Sequence, residues 1–170
     1  MTSVIVADAG PLMVLAKLNL LHLLKELYDQ VEFSQSVYDE IVTDGLRRGY
    51  QDAHVLEQFF RHENWVPVPI ESGFDSFQHN LDVGERDSIE LAKLHKATLL
   101  MDEEHGREIA RQQGIRVRGS LGVLVEAYHN GLISSNQLQL FVGQMIERSD
   151  IWISPDLCRR VLQEVLKTKG

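Results

Sequence analysis

The 170-residue chain has a single cysteine, Cys158, so an intrachain disulfide and any cysteine-built zinc site are excluded. Its seven histidines, His22, His54, His62, His79, His95, His105 and His129, form no HxH or HxxxH pair, which argues against a histidine zinc centre as well. No apolar run approaches the roughly 20 residues of a membrane-spanning helix, and no membrane partner is expected. The first residues, "MTSVIVADAG", show neither a basic segment nor a small-residue cleavage site, so a signal peptide is not expected. A reducing, cytoplasmic setting follows as the expectation. Positive charge is scarce too: 17 Lys and Arg face 25 Asp and Glu, a formal net charge of −8. That balance argues against holding nucleic acid on a broad basic surface. It leaves open an acidic site that meets phosphate through metal cations. P-loop, GxGxxG and RNP-like aromatic motifs are also missing.

What remains is ordinary globular material, 44% hydrophobic and 25% charged, long enough for a substantial core and read as one domain over residues 1–170. Short apolar runs alternate with helical patterns. Val4–Ala7 reads as a strand ending in Asp8, and "GPLMVLAKLNLLHLLKEL" carries helical spacing, with Pro11 suited to a first turn. Val31–Phe33 is a second strand, and Ser34 or Ser36 can cap the helix containing "VYDEIV". Residues 45–65 are polar and mostly helical, closing at the extended "NWVPVPI". "DVGERDSIELAKLHKA" has one apolar face. Thr98–Met101 is a strand, a helix runs from about Glu104 to Gln113 before Gly114, and Ile115–Val117 is the fourth strand. Ser120 is expected to cap "LGVLVEAYHNG", and helices follow at residues 135–147 and 155–167.

Strands alternating with helices imply a parallel sheet covered by helices, whose ligands sit beyond the carboxyl ends of the strands. Asp8 and Asp102 both fall there, each next to an apolar strand. Two acids lie on helices in suggestive places: Glu40 in "VYDEIV" and Glu85 in "VGERDSIELA". Asp87, two residues further on, competes with Glu85.

At this point the sequence resembles a family. "VIVADAGPLMVLAKL", "VYDEIV", "LDVGERDSIELAK", "ATLLMDEEHGREIARQQGIRVRGSLGVLVEAYHNGLI" and "IWISPDLCRRVLQEVL" together look like a PIN-domain protein. They are most similar to the toxin-type (VapC-like) ribonuclease subset that carries a GE motif. The resemblance implies a three-layer α/β/α fold around a central parallel sheet of four to five strands. It implies a metal-dependent ribonuclease whose acidic site falls on Asp8, Glu40, Glu85 and Asp102, acting on RNA. It also implies homodimers and, for toxin members, a small antitoxin partner. The chain departs from the pattern where many members carry a further acid or Asn after the last strand. Ser120 stands there, and Glu103 is a candidate substitute.

Carboxylates are hard oxygen ligands suited to Mg²⁺ or Mn²⁺. Four of them balance two divalent ions, the arrangement used for two-metal hydrolysis of phosphodiesters. Asp8 and Asp102 are assigned as metal ligands, Glu85 as a ligand or water-holding residue, and Glu40 as acting through water. Each also has a plainer reading. Asp8 and Asp102 can cap the helices that follow them, Glu85 can serve a helix dipole, and Glu40 can be a solvated helix residue. Arg107 can touch a phosphate, brace Asp102, or pair with Glu103 or Glu104. His105 is expected to be a surface residue. Arg47, Arg48, Arg111, Arg116 and Arg118 are candidate phosphate contacts. Two other classes compete. A receiver-like phosphoacceptor would need an acidic pair at the first strand and a late lysine, and neither is evident. A catalytically degenerate PIN-like module binding RNA or protein is the alternative.

Overall fold

The computed structural model describes residues 3–71 and 80–168, so His79 lies outside the described residues. The chain divides into two compact units, Met1–Gly119 and Ser120–Gly170. The first contains the sheet: β1 (Val4–Ala7), β2 (Gln30–Glu32), β3 (Thr98–Leu100) and β4 (Val117–Arg118), in the order β2-β1-β3-β4. All three pairings are parallel. This is the expected class, an α/β fold with a central parallel sheet of four strands flanked by helices. Parallel neighbours need crossover connections, and those here diverge. β1 leads through α1 (Ala9–Lys17) and α2 (His22–Leu27) to β2 on one side, while β3 leads through α7 (Glu104–Gln112) to β4 on the other. The crevice of such a sheet opens where the connections part, between β1 and β3.

Side chains alternate across the strands. Val6, Leu99 and Met101 pack with Ile89, Leu91 and Ala92 of α6 (Val83–His95) and with Ile109 and Ala110 of α7. Ile5, Ala7 and Leu100 point to the other face and are fully buried too, so both faces are covered. A second apolar cluster forms beside β2, where Phe33 stacks on Phe60 of α5 (Gln51–Glu63) at 4.5 Å between ring centres, with Tyr38 and Trp65 alongside. Both phenylalanines are buried. Phe60→Ala is expected to cost about 3–5 kcal/mol in urea denaturation; a loss below about 1 kcal/mol would mean that the cluster contributes little.

Three local readings change. The long first helix is broken, because Asn19 takes a left-handed φ of 57° between α1 and α2. Asn tolerates that region, and the turn buries Leu18, Leu20, Leu21, Leu23 and Leu24 together. The stretch around "VYDEIV" is α3 (Gln35–Tyr38), a wide π-turn (Asp39–Thr43) and α4 (Asp44–Arg47) in unbroken succession, capped by Ser34, whose hydroxyl accepts from the Val37 N–H. The fourth strand begins at Val117 rather than Ile115. The Ile115 N–H is spent on the Ala110 carbonyl, closing α7 at Gly114, whose φ is +78°.

The second unit is helical. α8 (Ser120–His129) and α10 (Pro155–Lys167) each pack on α9 (Ser135–Glu147), whose buried face carries Leu138, Val142 and Met145. Ser134 and Gln137 form a capping box at the start of α9, and Ser154 caps α10. Ser120 is the first residue of α8 rather than the residue before it.

Candidate functional site

The sheet register brings the first two acids together. Ala7 pairs with Leu100, and the Asp8 N–H donates to the Leu100 carbonyl at 2.9 Å. Asp8 and Asp102 therefore leave adjacent strands at the same end, on either side of the crevice. A pocket of about 170 Å³ opens there, lined by Asp8, Ala9, Gly10, Glu40, Asp82, Glu85, Asp102 and Glu103. All four acids singled out in the sequence line it.

Asp8 precedes α1 in an extended conformation, yet its side chain makes no capping bond to that helix. It turns instead to α6, where the Ser88 hydroxyl donates to Oδ1 at 3.0 Å, and both residues are buried. Burial pushes its carboxyl from the ordinary 3.8 up to about 7. The Ala9 N–H and Ser88 oppose that rise, and the charges of Asp82 and Glu85 add to it. Asp8 thus meets the first N–H of α1 but makes no capping bond further into the helix.

Glu40 lies in the π-turn. Such a turn widens the helix locally and is frequent at functional sites; here it carries Glu40 on the pocket side. Partial desolvation raises its carboxyl, helped by Asp82, Glu85 and Asp44. Opposite stands Gly84. A Cβ at that position would come 3.2 Å from Glu40 Oε2 and 3.5 Å from Asp82 Oδ1. The glycine of the "GE" pair lets the first turn of α6 approach those carboxylates.

Glu85 has two roles at once. Asp82 caps α6 by accepting from the Glu85 N–H at 2.8 Å, and the Asp82 N–H donates to Glu85 Oε2 at 3.1 Å, a capping box. The same carboxylate lines the pocket, and burial raises its pKa. Asp87 does not line it: buried, it accepts from the Ser36 hydroxyl at 2.6 Å and pairs with Arg86 at 2.8 Å. Of these rivals, Glu85 is the one that lines the pocket.

The three consecutive acids after β3 divide their work. Glu103, not Asp102, caps α7, accepting from the N–H groups of His105 and Gly106 at 3.1 and 2.6 Å. Asp102 is half-buried at the pocket wall, and Glu104 is exposed, pairing with Arg111. Glu103 also lines the pocket, with its carboxylate already engaged by backbone. His105 is exposed. Among the candidate phosphate contacts, Arg47 pairs with Asp44, Arg111 with Glu104, and Arg118 donates to the Tyr28 hydroxyl, while Arg48 and Arg116 are exposed. Ser120 belongs to the other unit, where it is buried at the head of α8.

Asp82 was missed by the sequence reading. Its signal was the D-x-x-E spacing of a capping box in "DVGE", which sets Asp82 on the same helix end as Glu85. It also borders an adjoining pocket of about 330 Å³ with Ser36, Asp39, Glu40, Asp44, Val83 and Gly84, so the acidic surface continues beyond the crevice.

The donor set suits a hard divalent cation: carboxylate oxygens alone, three of them desolvated enough to raise their pKa values. Their spacing is open. Among the described residues no three of His, Cys, Asp or Glu stand close enough together to hold one ion. Mutual repulsion favours that separation, and a cation would have to draw the side chains inward.

The DUF3368 family, described as a PIN domain, matches residues 4–167. No curated protein matches the chain.

Proposed function

Because the chain belongs to the PIN-domain family, a family of nucleases, we propose that it is a metal-dependent endoribonuclease of the toxin-type subset. The observation that carries this reading is the carboxylate-lined pocket at the parting of β1 and β3. The family match runs through both compact units, which supports treating residues 1–170 as one functional domain.

Asp8, Glu85 and Asp102 are the residues that would hold Mg²⁺ or Mn²⁺, with Glu40 acting through water. One or two such ions supply positive charge that lowers the pKa of a water molecule and offsets charge on the leaving oxygen. Without cations, the six lining carboxylates repel an RNA phosphate, so the protein itself makes substrate entry conditional on metal. Ser88 fixes the orientation of Asp8, and Gly84 clears the space in which Glu40 and Asp82 sit. Because Asp8 is raised to about 7 by burial, a metal must displace a proton there. Cleavage at limiting metal is therefore expected to rise with pH through about 7.

The protein is expected to cleave single-stranded or structured RNA in Mg²⁺ or Mn²⁺, with EDTA abolishing cleavage and added Mn²⁺ restoring it. Unchanged cleavage in EDTA would eliminate the metal mechanism. A homodimer, a small antitoxin partner and a cytoplasmic setting belong to the same proposal. The open carboxylate spacing favours a second reading, a PIN-like module without catalysis that binds RNA or protein. Calorimetry separates the two, because such a module would not take up Mn²⁺ at this pocket.

A further inference from the structure

Arg107 rises from α7, five residues beyond Asp102, and folds back over the end of β3. Its side chain is 20% exposed. NH1 donates to the Met101 carbonyl at 2.8 Å. Nε is buried and has no hydrogen-bond partner, although the exposed Glu104 carboxylate lies 3.5 Å away. Gly119, just beyond β4, reports what else is near. A Cβ there would sit 2.9 Å from Arg107 NH1, 2.9 Å from Asp102 Oδ1 and 3.9 Å from the Met101 carbonyl oxygen. Guanidinium, carboxylate and carbonyl thus surround a single point that only glycine leaves empty.

We propose that Arg107 is a positioning residue, which with Gly119 sets the Asp102 carboxylate at the wall of the acidic pocket. Asp102 shares that wall with Asp8, Glu40, Asp82, Glu85 and Glu103. Like charges push a carboxylate on a short side chain away from its neighbours, and a fixed guanidinium across the Gly119 gap from Oδ1 opposes that displacement. Arg107 is poorly placed to serve as a phosphate contact. NH1 is committed to the end of the strand, Nε is sealed from solvent, and the side chain is four-fifths covered.

The inference rests on the reading of Asp102 as a metal ligand, and charge alone would predict the opposite effect. Removing a cation beside a metal site tightens divalent binding if Arg107 acts only through its charge, and weakens binding if Arg107 positions the ligand. Calorimetric titration with Mn²⁺ is expected to show Arg107→Ala binding about tenfold more weakly than the parent. Gly119→Ala should weaken it in the same way, because its methyl group must displace Asp102 or Arg107. Arg107→Lys should recover part of the loss, since an ammonium reaches the Met101 carbonyl without the fork.

A metal-free measurement accompanies the titration. The Met101 N–H donates to the Arg118 carbonyl at 2.8 Å. Its hydrogen exchange should accelerate about tenfold in Arg107→Ala, while the core amides of β1 keep the parent rates. Mn²⁺ affinity equal to or tighter than that of the parent overturns the proposal, whatever the exchange rate. A parent that takes up no Mn²⁺ fails the nuclease reading instead, and unchanged Met101 exchange then overturns the role of Arg107.

Discussion

Asp8→Asn is expected to slow metal-dependent RNA cleavage by at least about 10²-fold, the scale of losing one positioned electrostatic group. Shape is nearly conserved by the change. An Asn Oδ1 can still accept from the Ser88 hydroxyl or the Ala9 N–H, and there is no capping bond further into α1 to lose. What disappears is the charge beside the crevice between β1 and β3. Asp87→Asn is the matched control. Asp87 is also a buried acid, but it lies away from the pocket and its carboxylate is spent on Ser36 and Arg86. That variant should lose stability while its cleavage rate stays within a few-fold of the parent. Comparable rates for Asp8→Asn and the parent would remove Asp8 from the site, and a collapse of activity in Asp87→Asn would return Asp87 to it.

The positions of Asp8 and Asp102 were legible because an apolar run followed at once by an acid has one economical meaning in a parallel sheet. The buried strand stops, and the charge meets the crevice at its carboxyl end. Local alternatives of similar energy were not legible. Three acids in a row can each cap α7, and the choice of Glu103 depends on where the helix axis begins, which no spacing in "MDEEHG" encodes. The π-turn around Glu40 spans only Asp39–Thr43, too short for its wider period to appear in a hydrophobic pattern. The leucine-rich stretch from Leu12 to Leu24 satisfies one long helix as well as two short ones, and only the left-handed Asn19 decides between them. Ile115 looked like a strand residue because it is apolar, but its N–H was needed to close the preceding helix. Asp82 and Glu85 show why plain and functional readings need not compete: one capping box also delivers two carboxylates to the pocket.

Asp8 should also set how stability changes with pH, and the sign of its effect depends on pH. The folded protein holds this carboxyl at about 7 against an ordinary 3.8, chiefly through burial. A folded pKa raised above the unfolded one contributes stability that is complete below about 3.8 and is lost as pH climbs through about 7. At 1.36 kcal/mol per pKa unit, the metal-free parent should forfeit on the order of 3–5 kcal/mol between pH 4 and pH 8. Glu40 and Glu85 are shifted in the same direction and steepen the fall. Asp8→Asn lacks the Asp8 contribution, although its amide N–H₂ enters a buried position at a cost of roughly 1–3 kcal/mol. In EDTA the two stability curves should therefore cross. The variant is no more stable than the parent near pH 4.5, and more stable by about 1–3 kcal/mol at pH 8. Mn²⁺ at pH 8 should reverse the order. The parent gains about 4.1 kcal/mol when free metal is 1,000 times its dissociation constant, and the variant loses most of that gain. Urea denaturation of both proteins from pH 4.5 to 8.5, with EDTA and then with Mn²⁺, measures every part of this. A difference curve that stays flat in EDTA would mean that Asp8 ionises in the folded protein as easily as in the unfolded chain. The buried, proton-holding carboxylate on which metal capture depends would then be absent.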